Sequence, residues 1–166
     1  SPQQGPDGFS YLLLSTEKSG EESFLDLVNW GAEKGVGLVV NPTGESADFI
    51  FTYGMLWNYL LREEFLSAAT KAKTESLNIQ PDQVVLTGQP NESYWPLPAR
   101  RLFKEFLMEQ GIIDGKAILI LDEKDQNQAD LCFSLESLGR PPESEWQGVL
   151  EGFSWFFPRH YSLALV

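Results

Sequence analysis

The same order of strand-like and helix-like apolar segments occurs twice along the chain. This repeat constrains the fold more than any other feature of the sequence. A shift of 82 positions places Ala47–Thr52 on Ala129–Ser134, with three of six residues identical. The same shift places Phe24-Leu25 on Phe106-Leu107. Self-similarity of this kind indicates that one supersecondary unit is used more than once. The sequence therefore predicts two similar halves in tandem.

Each predicted half combines strands of alternating or apolar character with helices whose apolar residues recur at three- and four-residue spacing. The strands expected are Phe9–Leu14 (at a sheet edge), Val36–Val40, Asp48–Tyr53, Val84–Thr87, Ala117–Leu121, Leu131–Leu135 and Tyr161–Val166. The helices expected begin near Glu21, Met55, Pro98 and after Pro142. Turns are expected at the Asn41-Pro42-Thr43-Gly44 sequence and over the polar stretch 122–128.

The resulting order is β-α-β-β-α followed by β-α-β-β-α-β, which predicts an α+β fold with mainly antiparallel sheets. A ferredoxin-like unit is one alternative for the second half. Residues 1–8, which contain two Pro and two Gly, read as a flexible lead-in. Residues 9–166 are expected to form one globular domain made of two similar halves, over about 9–76 and 84–166.

The charge of the chain restricts its partners. Of its 166 residues, 24 are acidic and 12 are basic, which gives a net charge of −12. Such a charge repels nucleic acids and anionic membranes, and it suits a basic protein partner. The basic group Arg100, Arg101 and Lys104 is interpreted as the solvated face of a helix rather than as a phosphate site. No apolar run approaches the roughly 18 residues that span a bilayer, so the sequence predicts a soluble protein.

The sequence offers little for catalysis or metal binding. His160 is the only histidine and Cys132 the only cysteine, so nucleophilic triads and cysteine zinc sites are poorly supported. Cys132 is expected to be a buried, unreactive thiol in a strand. The acidic group around Asp122 and Asp125 lacks the Gly and the spacing of an EF-hand loop. We therefore expect no metal and no cofactor.

Aromatic residues are in excess, at 13% of the chain with five Trp. Several do not fall on the apolar stripe of their predicted helix. Two interpretations remain open: a broad core that covers helices on two sides, or an exposed aromatic patch that anchors a partner. For the second, the candidate partner-binding residues are Trp57, Tyr94, Trp95 and Trp155.

The segment GVGLVVNPTGESADFIFTYGMLWNY over 35–59 resembles the hairpin of SseB-like (enhanced serine sensitivity) bacterial proteins. The likeness rests on Val39-Val40-Asn41-Pro42, where a strand ends at an Asn-Pro turn. The region from Leu97-Pro98 through Leu135 is also similar to that family's C-terminal order of a helix and a two-strand return. The resemblance implies a bacterial, cytoplasmic, non-enzymatic accessory protein, and it supplies no functional residues.

Two functions from different classes follow. The first is a non-catalytic protein-interaction module, such as an adaptor, regulator or chaperone-like accessory, because acidic charge and surplus aromatics occur without a catalytic set. The alternative is a small-molecule binding or hydrolytic domain with a pocket between the two halves. The chain begins at Ser1, which indicates a processed or truncated N-terminus, and a single cysteine fits a reducing cytoplasm.

Overall fold

A computed structural model describes residues 1–17, 20–68, 74–76, 79–122 and 125–166. Its strands are β1 (Gln3–Gln4), β2 (Ser10–Leu14), β3 (Gly37–Val40), β4 (Phe49–Phe51), β5 (Thr74–Ser76), β6 (Val85–Gly88), β7 (Ala117–Asp122), β8 (Asp125–Phe133) and β9 (Ser162–Leu165). Its helices are α1 (Phe24–Lys34), α2 (Tyr53–Arg62), α3 (Leu97–Glu109) and α4 (Glu143–Ser154). The α+β class in two halves is confirmed.

The chain divides into two compact units. Unit 1 contains Ser1–Leu66 together with Trp155–Pro158, and unit 2 contains Ser67–Ser154 together with Arg159–Val166. The short segment Trp155–Pro158 therefore belongs to unit 1 although it follows α4 in sequence. No helix in the described ranges is both long and apolar enough to span a membrane.

Unit 1 is built on a four-stranded sheet in the order β1-β2-β3-β4. Strands β2 and β3 are parallel and are connected through α1, which is capped by Ser23 at its start and by Gly35, with φ 70°, at its end. Strands β3 and β4 form an antiparallel hairpin. Because β1 pairs with β2, the lead-in expected over 1–8 contains a strand, and β2 is not a sheet edge.

A buried cluster of unit 1 lies on one face of this sheet. Val28 of α1, Leu38 of β3 and Leu56 of α2 are fully buried and in contact, and Phe51 packs against them. Period-two alternation sends the neighbouring residues of each strand to the opposite face. That second face carries Leu13 and Ile50, which are 40% and 50% exposed, and Tyr11, which is buried.

Unit 2 contains a five-stranded sheet in the order β5-β9-β8-β7-β6. Strand β6 is antiparallel to β7 and β7 to β8, whereas β9 is parallel to both β8 and β5. In a split β-α-β unit, another strand separates the two strands that a helix connects. Here β6 lies directly beside β7, and β8 directly beside β9, so the ferredoxin-like alternative is wrong. Four of the seven described strand pairings are antiparallel, and both sheets are mixed.

The sheet of unit 2 is buried on both faces at its centre. On one face, Phe133 packs against Phe103 of α3 and Phe153 of α4, with ring centroids 5.5 and 4.9 Å apart. On the other face, Ile120, Cys132 and Ala164 form a second buried cluster. Because both faces are covered, β8 is apolar at consecutive positions, as strands buried on both faces are.

The two halves share the order of elements but not the pairing of strands. Strands β2 and β3 are parallel, whereas β6 and β7, at equivalent places in the order, are antiparallel. The hairpin of β7 and β8 is also longer than the hairpin of β3 and β4. Strands β7 and β8 extend to Asp122 and from Asp125, with a register shift after Leu121. Most of the polar turn predicted over 122–128 is therefore strand, and residues 123–124 lie outside the described ranges.

Candidate functional site

The four aromatic residues singled out from the sequence do not form an exposed patch. Trp57, Trp95 and Trp155 are buried, with 5%, 8% and 6% of their surfaces exposed, and Tyr94 is half-buried. The expectation of an exposed patch made of these side chains is therefore wrong. The other interpretation, a broad core, describes the three tryptophans.

Two of these tryptophans hold the segment Trp155–Pro158 in unit 1. Trp155 stacks on Phe9 with ring centroids 4.2 Å apart, and its indole N–H donates to the Tyr11 hydroxyl at 2.7 Å. The Trp57 indole N–H donates to the Phe156 carbonyl at 2.8 Å. Both polar groups are satisfied in the interior, which buried indoles require.

The other two of the four residues, Tyr94 and Trp95, pack at the start of α3 in unit 2. The ring of Trp95 meets Phe103 edge-on with centroids 5.6 Å apart. Tyr94 stacks on Tyr161 at 4.3 Å, and the Tyr161 hydroxyl donates to the Tyr94 carbonyl. These contacts join α3 to the segment before β9. Tyr94 and Trp95 therefore stabilise the packing of unit 2.

A different aromatic group is exposed on unit 1. It consists of Phe24, Phe49, Phe51 and Phe65, and we call it the aromatic edge. The ring of Phe51 is 4.4 Å from Phe49, 4.7 Å from Phe65 and 5.5 Å from Phe24 between centroids. Phe24 and Phe49 are 43% and 41% exposed although both are large apolar side chains.

Strand β4 is apolar on both of its faces. Phe49 and Phe51 face the helices, and Ile50 faces the other way, in register with Val39 and Leu13 on the neighbouring strands. Ile50 and Leu13 are largely exposed, so this row of aliphatic side chains extends the apolar surface around the strand. Within the described residues β4 pairs only with β3, and its other side is a sheet edge.

Asn41 sets the position of β4. Its backbone has φ 49°, a left-handed conformation that Asn tolerates better than most residues. Its side-chain amide donates to Thr16 Oγ1 and to Asp48 Oδ2, at 2.8 and 2.7 Å, and its side-chain oxygen accepts from the Thr16 N–H. The ends of β2, β3 and β4 are thereby fastened at one point, and the Asn-Pro turn of the sequence presents the edge strand.

The surroundings of the aromatic edge are acidic. Residues 1–66 contain ten acidic and three basic residues. Asp48 precedes β4 directly, and Glu63 and Glu64 directly precede Phe65; all three carboxylate residues are exposed. The exposed apolar surface therefore lies among negative charges, a combination that favours a partner with apolar and basic side chains.

Cys132, the only cysteine of the chain, lies in unit 2 and not at the aromatic edge. Cys132 is fully buried in β8, as expected, and burial raises the pKa of its thiol to about 12, with a further contribution from Asp130. A thiol with such a pKa is protonated at neutral pH and is a poor nucleophile. No group of three or more His, Cys, Asp or Glu side chains suited to a metal occurs among the described residues.

The described residues of unit 2 include the linings of two cavities. An apolar groove of about 500 Å³ runs between α3 and α4, past Phe106, Val149 and the exposed backbone of Gly148. A smaller cavity of about 290 Å³ lies between α3 and the segment that leads into β7, and it includes Arg100 and Lys104.

Sequence reasoning missed Phe24, Phe49 and Ile50 as surface residues. The available signal was the run Phe49-Ile50-Phe51, in which three large apolar residues are consecutive in a short strand. Such a run normally indicates burial on both faces. The same pattern in β8 is buried, so the sequence alone does not distinguish the edge strand from the central one.

No protein-family model matches the chain, and no curated protein or solved structure shows significant similarity to it. The resemblance to SseB-like proteins therefore stays a prediction.

Proposed function

We propose that the protein is a non-catalytic protein-interaction module and that β4 with the aromatic edge is its docking surface. The observation that carries this proposal is the exposure of Phe49 and Ile50 on opposite faces of a strand at a sheet edge. An accessory role of the kind that the SseB-like resemblance implies is part of the proposal.

Edge strands of folded proteins are normally protected against pairing by charges, proline or a covering element, because their free N–H and C=O groups recruit other strands. Strand β4 is only three residues long, but Phe49–Phe51 contains no charged residue and no proline. An extended segment that pairs with β4 would gain backbone hydrogen bonds and would place alternate side chains against the aromatic edge and against Ile50. Large aromatic side chains also dominate binding energy at interfaces.

The charges around the strand define the partner more closely. Because Asp48, Glu63 and Glu64 are exposed near the apolar surface, a strand with alternating apolar side chains and flanking Lys or Arg fits best. Such charges accelerate association and exclude acidic competitors more than they add affinity. The proposed partner is therefore a basic, extended segment of another protein.

The proposal is tested by affinity capture from cells that contain the protein, with wild type compared to Phe49→Lys and Ile50→Lys. Both substitutions place a charge on the edge strand, which blocks strand addition. We expect one protein to be retained in stoichiometric amount by wild type and to be lost with either variant. Thermal unfolding should show that both variants stay folded, since both side chains are about half exposed.

Leu86→Lys is the matched control. Leu86 is 45% exposed and lies on β6, which is also an edge strand. A general effect of adding a lysine to an exposed strand would appear in this variant as well. If Leu86→Lys loses the partner to the same extent as Ile50→Lys, β4 is not the docking surface.

A further inference from the structure

The smaller cavity of unit 2 has a composition that the interaction surface on unit 1 does not explain. It lies between α3 and the segment leading into β7, and its volume is about 290 Å³. Three basic residues line it: Arg100, Lys104 and Lys116. The chain has only 12 basic residues against 24 acidic ones, so a quarter of its positive charges meet at one cavity.

Two of these charges lie on the same face of α3. Arg100 and Lys104 are four residues apart, a spacing that brings their side chains together on a helix. Like charges at this spacing destabilise a helix unless an anion is near. Neither residue forms an ion pair with a carboxylate within the described part of the chain, whereas Arg101, on another face, lies 4.0 Å from Glu105.

Arg100 is held in a fixed position at the cavity. Its Nε donates to the Trp95 carbonyl at 2.7 Å, and one terminal nitrogen donates to the Pro90 carbonyl. Its guanidinium carbon lies 5.6 Å from the centre of the Trp95 ring. These contacts use part of the guanidinium and leave other N–H groups for a ligand, because a guanidinium has five. A cation ordered before binding loses little entropy when an anion arrives.

The floor and the mouth of the cavity are apolar. The lining includes the buried side chains of Phe103, Leu107 and Phe133. At the mouth, Ile113 is 79% exposed, more than any other large apolar side chain described. A ligand with an apolar body would cover Ile113 and contact the floor, while its charged group met the cations.

The charge balance favours a single negative charge on the ligand. Lys116 lies 3.8 Å from Asp114, which also lines the cavity, so its positive charge is partly compensated. A phosphate dianion would be desolvated against the aromatic floor at a higher cost than a monoanion. The volume is near the lower end of the roughly 300–1,000 Å³ typical of ligand pockets, which restricts the ligand to a small molecule.

We propose that this cavity binds a small monocarboxylate with an apolar body, its carboxylate on Arg100 and Lys104 and its body against Phe103 and Ile113. The site is separate from the docking surface of unit 1 and does not depend on it.

The test uses hexanoate as the probe and follows backbone and indole N–H resonances of the full chain by NMR. We expect hexanoate at millimolar concentration to shift the signals of Trp95, Ile113 and Gly115. Hexan-1-ol, which has a similar apolar body without the charge, should shift them much less at equal concentration. Added salt should weaken the effect of hexanoate, because charges near the surface are screened.

Lys104→Glu and Arg101→Glu separate the cavity from the general charge of α3. The two changes alter the net charge equally, and both residues are exposed. We expect Lys104→Glu to weaken hexanoate binding by about tenfold or more, as loss of a charged hydrogen bond does, and Arg101→Glu to leave it unchanged. Equal shifts with hexan-1-ol or inorganic phosphate, equal binding by the two variants, or no shift with hexanoate would each overturn the proposal.

Discussion

The indole N–H of Trp155 donates to the hydroxyl of Tyr11 at 2.7 Å, although the two residues are 144 positions apart. Tyr11 lies on β2, and its hydroxyl donates in turn to Asp7. This relay anchors a segment near the end of the chain in the unit formed by its beginning. Unit 1 is thus completed by residues that are synthesised after nearly all of unit 2.

The coupling between Trp155 and Tyr11 is expected to be measurable. Trp155→Phe keeps a ring that can stack on Phe9 and removes the hydrogen bond; Tyr11→Phe removes the acceptor. We expect each change to lower the free energy of unfolding, with a coupling energy of about 1 kcal/mol in a double-mutant cycle. Chemical denaturation of the four proteins measures it. Strictly additive effects would mean that the hydrogen bond does not contribute to stability.

Gly54→Ala is expected to disrupt unit 1. A Cβ at this position of α2 would lie 2.1 Å from the backbone carbonyl carbon and oxygen of Phe157, and backbone atoms do not yield as a flexible side chain does. Overpacking in a core costs typically 1–3 kcal/mol and sometimes more. We therefore expect a loss of about 3 kcal/mol or more, measured by thermal or chemical unfolding.

Gly148→Ala is the control for that substitution. Gly148 is also within a helix, but a Cβ there would meet no atom within 4 Å. Ala is favoured over Gly in helices by about 0.8–1.0 kcal/mol, so this variant should be as stable as wild type or slightly more stable. A loss of stability at both positions would show that the contact with Phe157 is not the cause.

Phe133→Ala and Phe51→Ala are expected to have unequal effects. The tandem repeat predicts that both rings point into a core, and both pack against helices. Phe133 is only 2% exposed, whereas Phe51 is half-buried at the aromatic edge. Loss of Phe133 should cost about 3–5 kcal/mol, and loss of Phe51 clearly less. Unfolding by denaturant tests this, and equal costs would contradict the difference in burial.

Cys132 should respond to pH in a specific way. Its pKa is raised from 9.0 to about 12 by burial, so the stabilisation linked to the protonated thiol is complete below about pH 9. It is lost as the pH rises from 9 towards 12, because the unfolded chain releases the proton first. Thiol labelling of the native protein should stay slow from neutral pH to about 9. Cys132→Ala should show a shallower loss of stability above pH 9, and rapid native labelling would contradict burial.

Much of the fold follows from local signals in the sequence. Helix α1 ends at the left-handed Gly35, as the sequence predicts, whereas its start was expected near Glu21 and lies at Phe24, after the capping residue Ser23. The strands on either side of Asn41-Pro42 were also expected, because Asn-Pro is a turn signal. The pairing of strands was not predictable in this way, because the direction in which β6 meets β7 depends on contacts distant in sequence.

The candidate site was less predictable than the fold. The sequence left Trp57 and Trp155 open between core and surface because they lie off the main apolar stripes, and the segment Trp155–Pro158 packs against α2 and β2 and buries both. The exposure of Phe49 and Ile50 was not predicted, and the equivalent Leu131 and Cys132 in β8 are buried. Burial at these positions is decided by the place of the strand in its sheet, which local sequence does not encode.

The most direct test of the docking surface is site-specific photo-crosslinking in cells that contain the natural partners. A photoreactive amino acid is placed at position 50 on β4 and, as the control, at position 86 on β6. The proposal predicts one discrete crosslinked product with another protein from position 50 and none from position 86. Crosslinks from both positions alike, crosslinks only between copies of this chain, or none from position 50 would contradict the claim that β4 receives a partner strand.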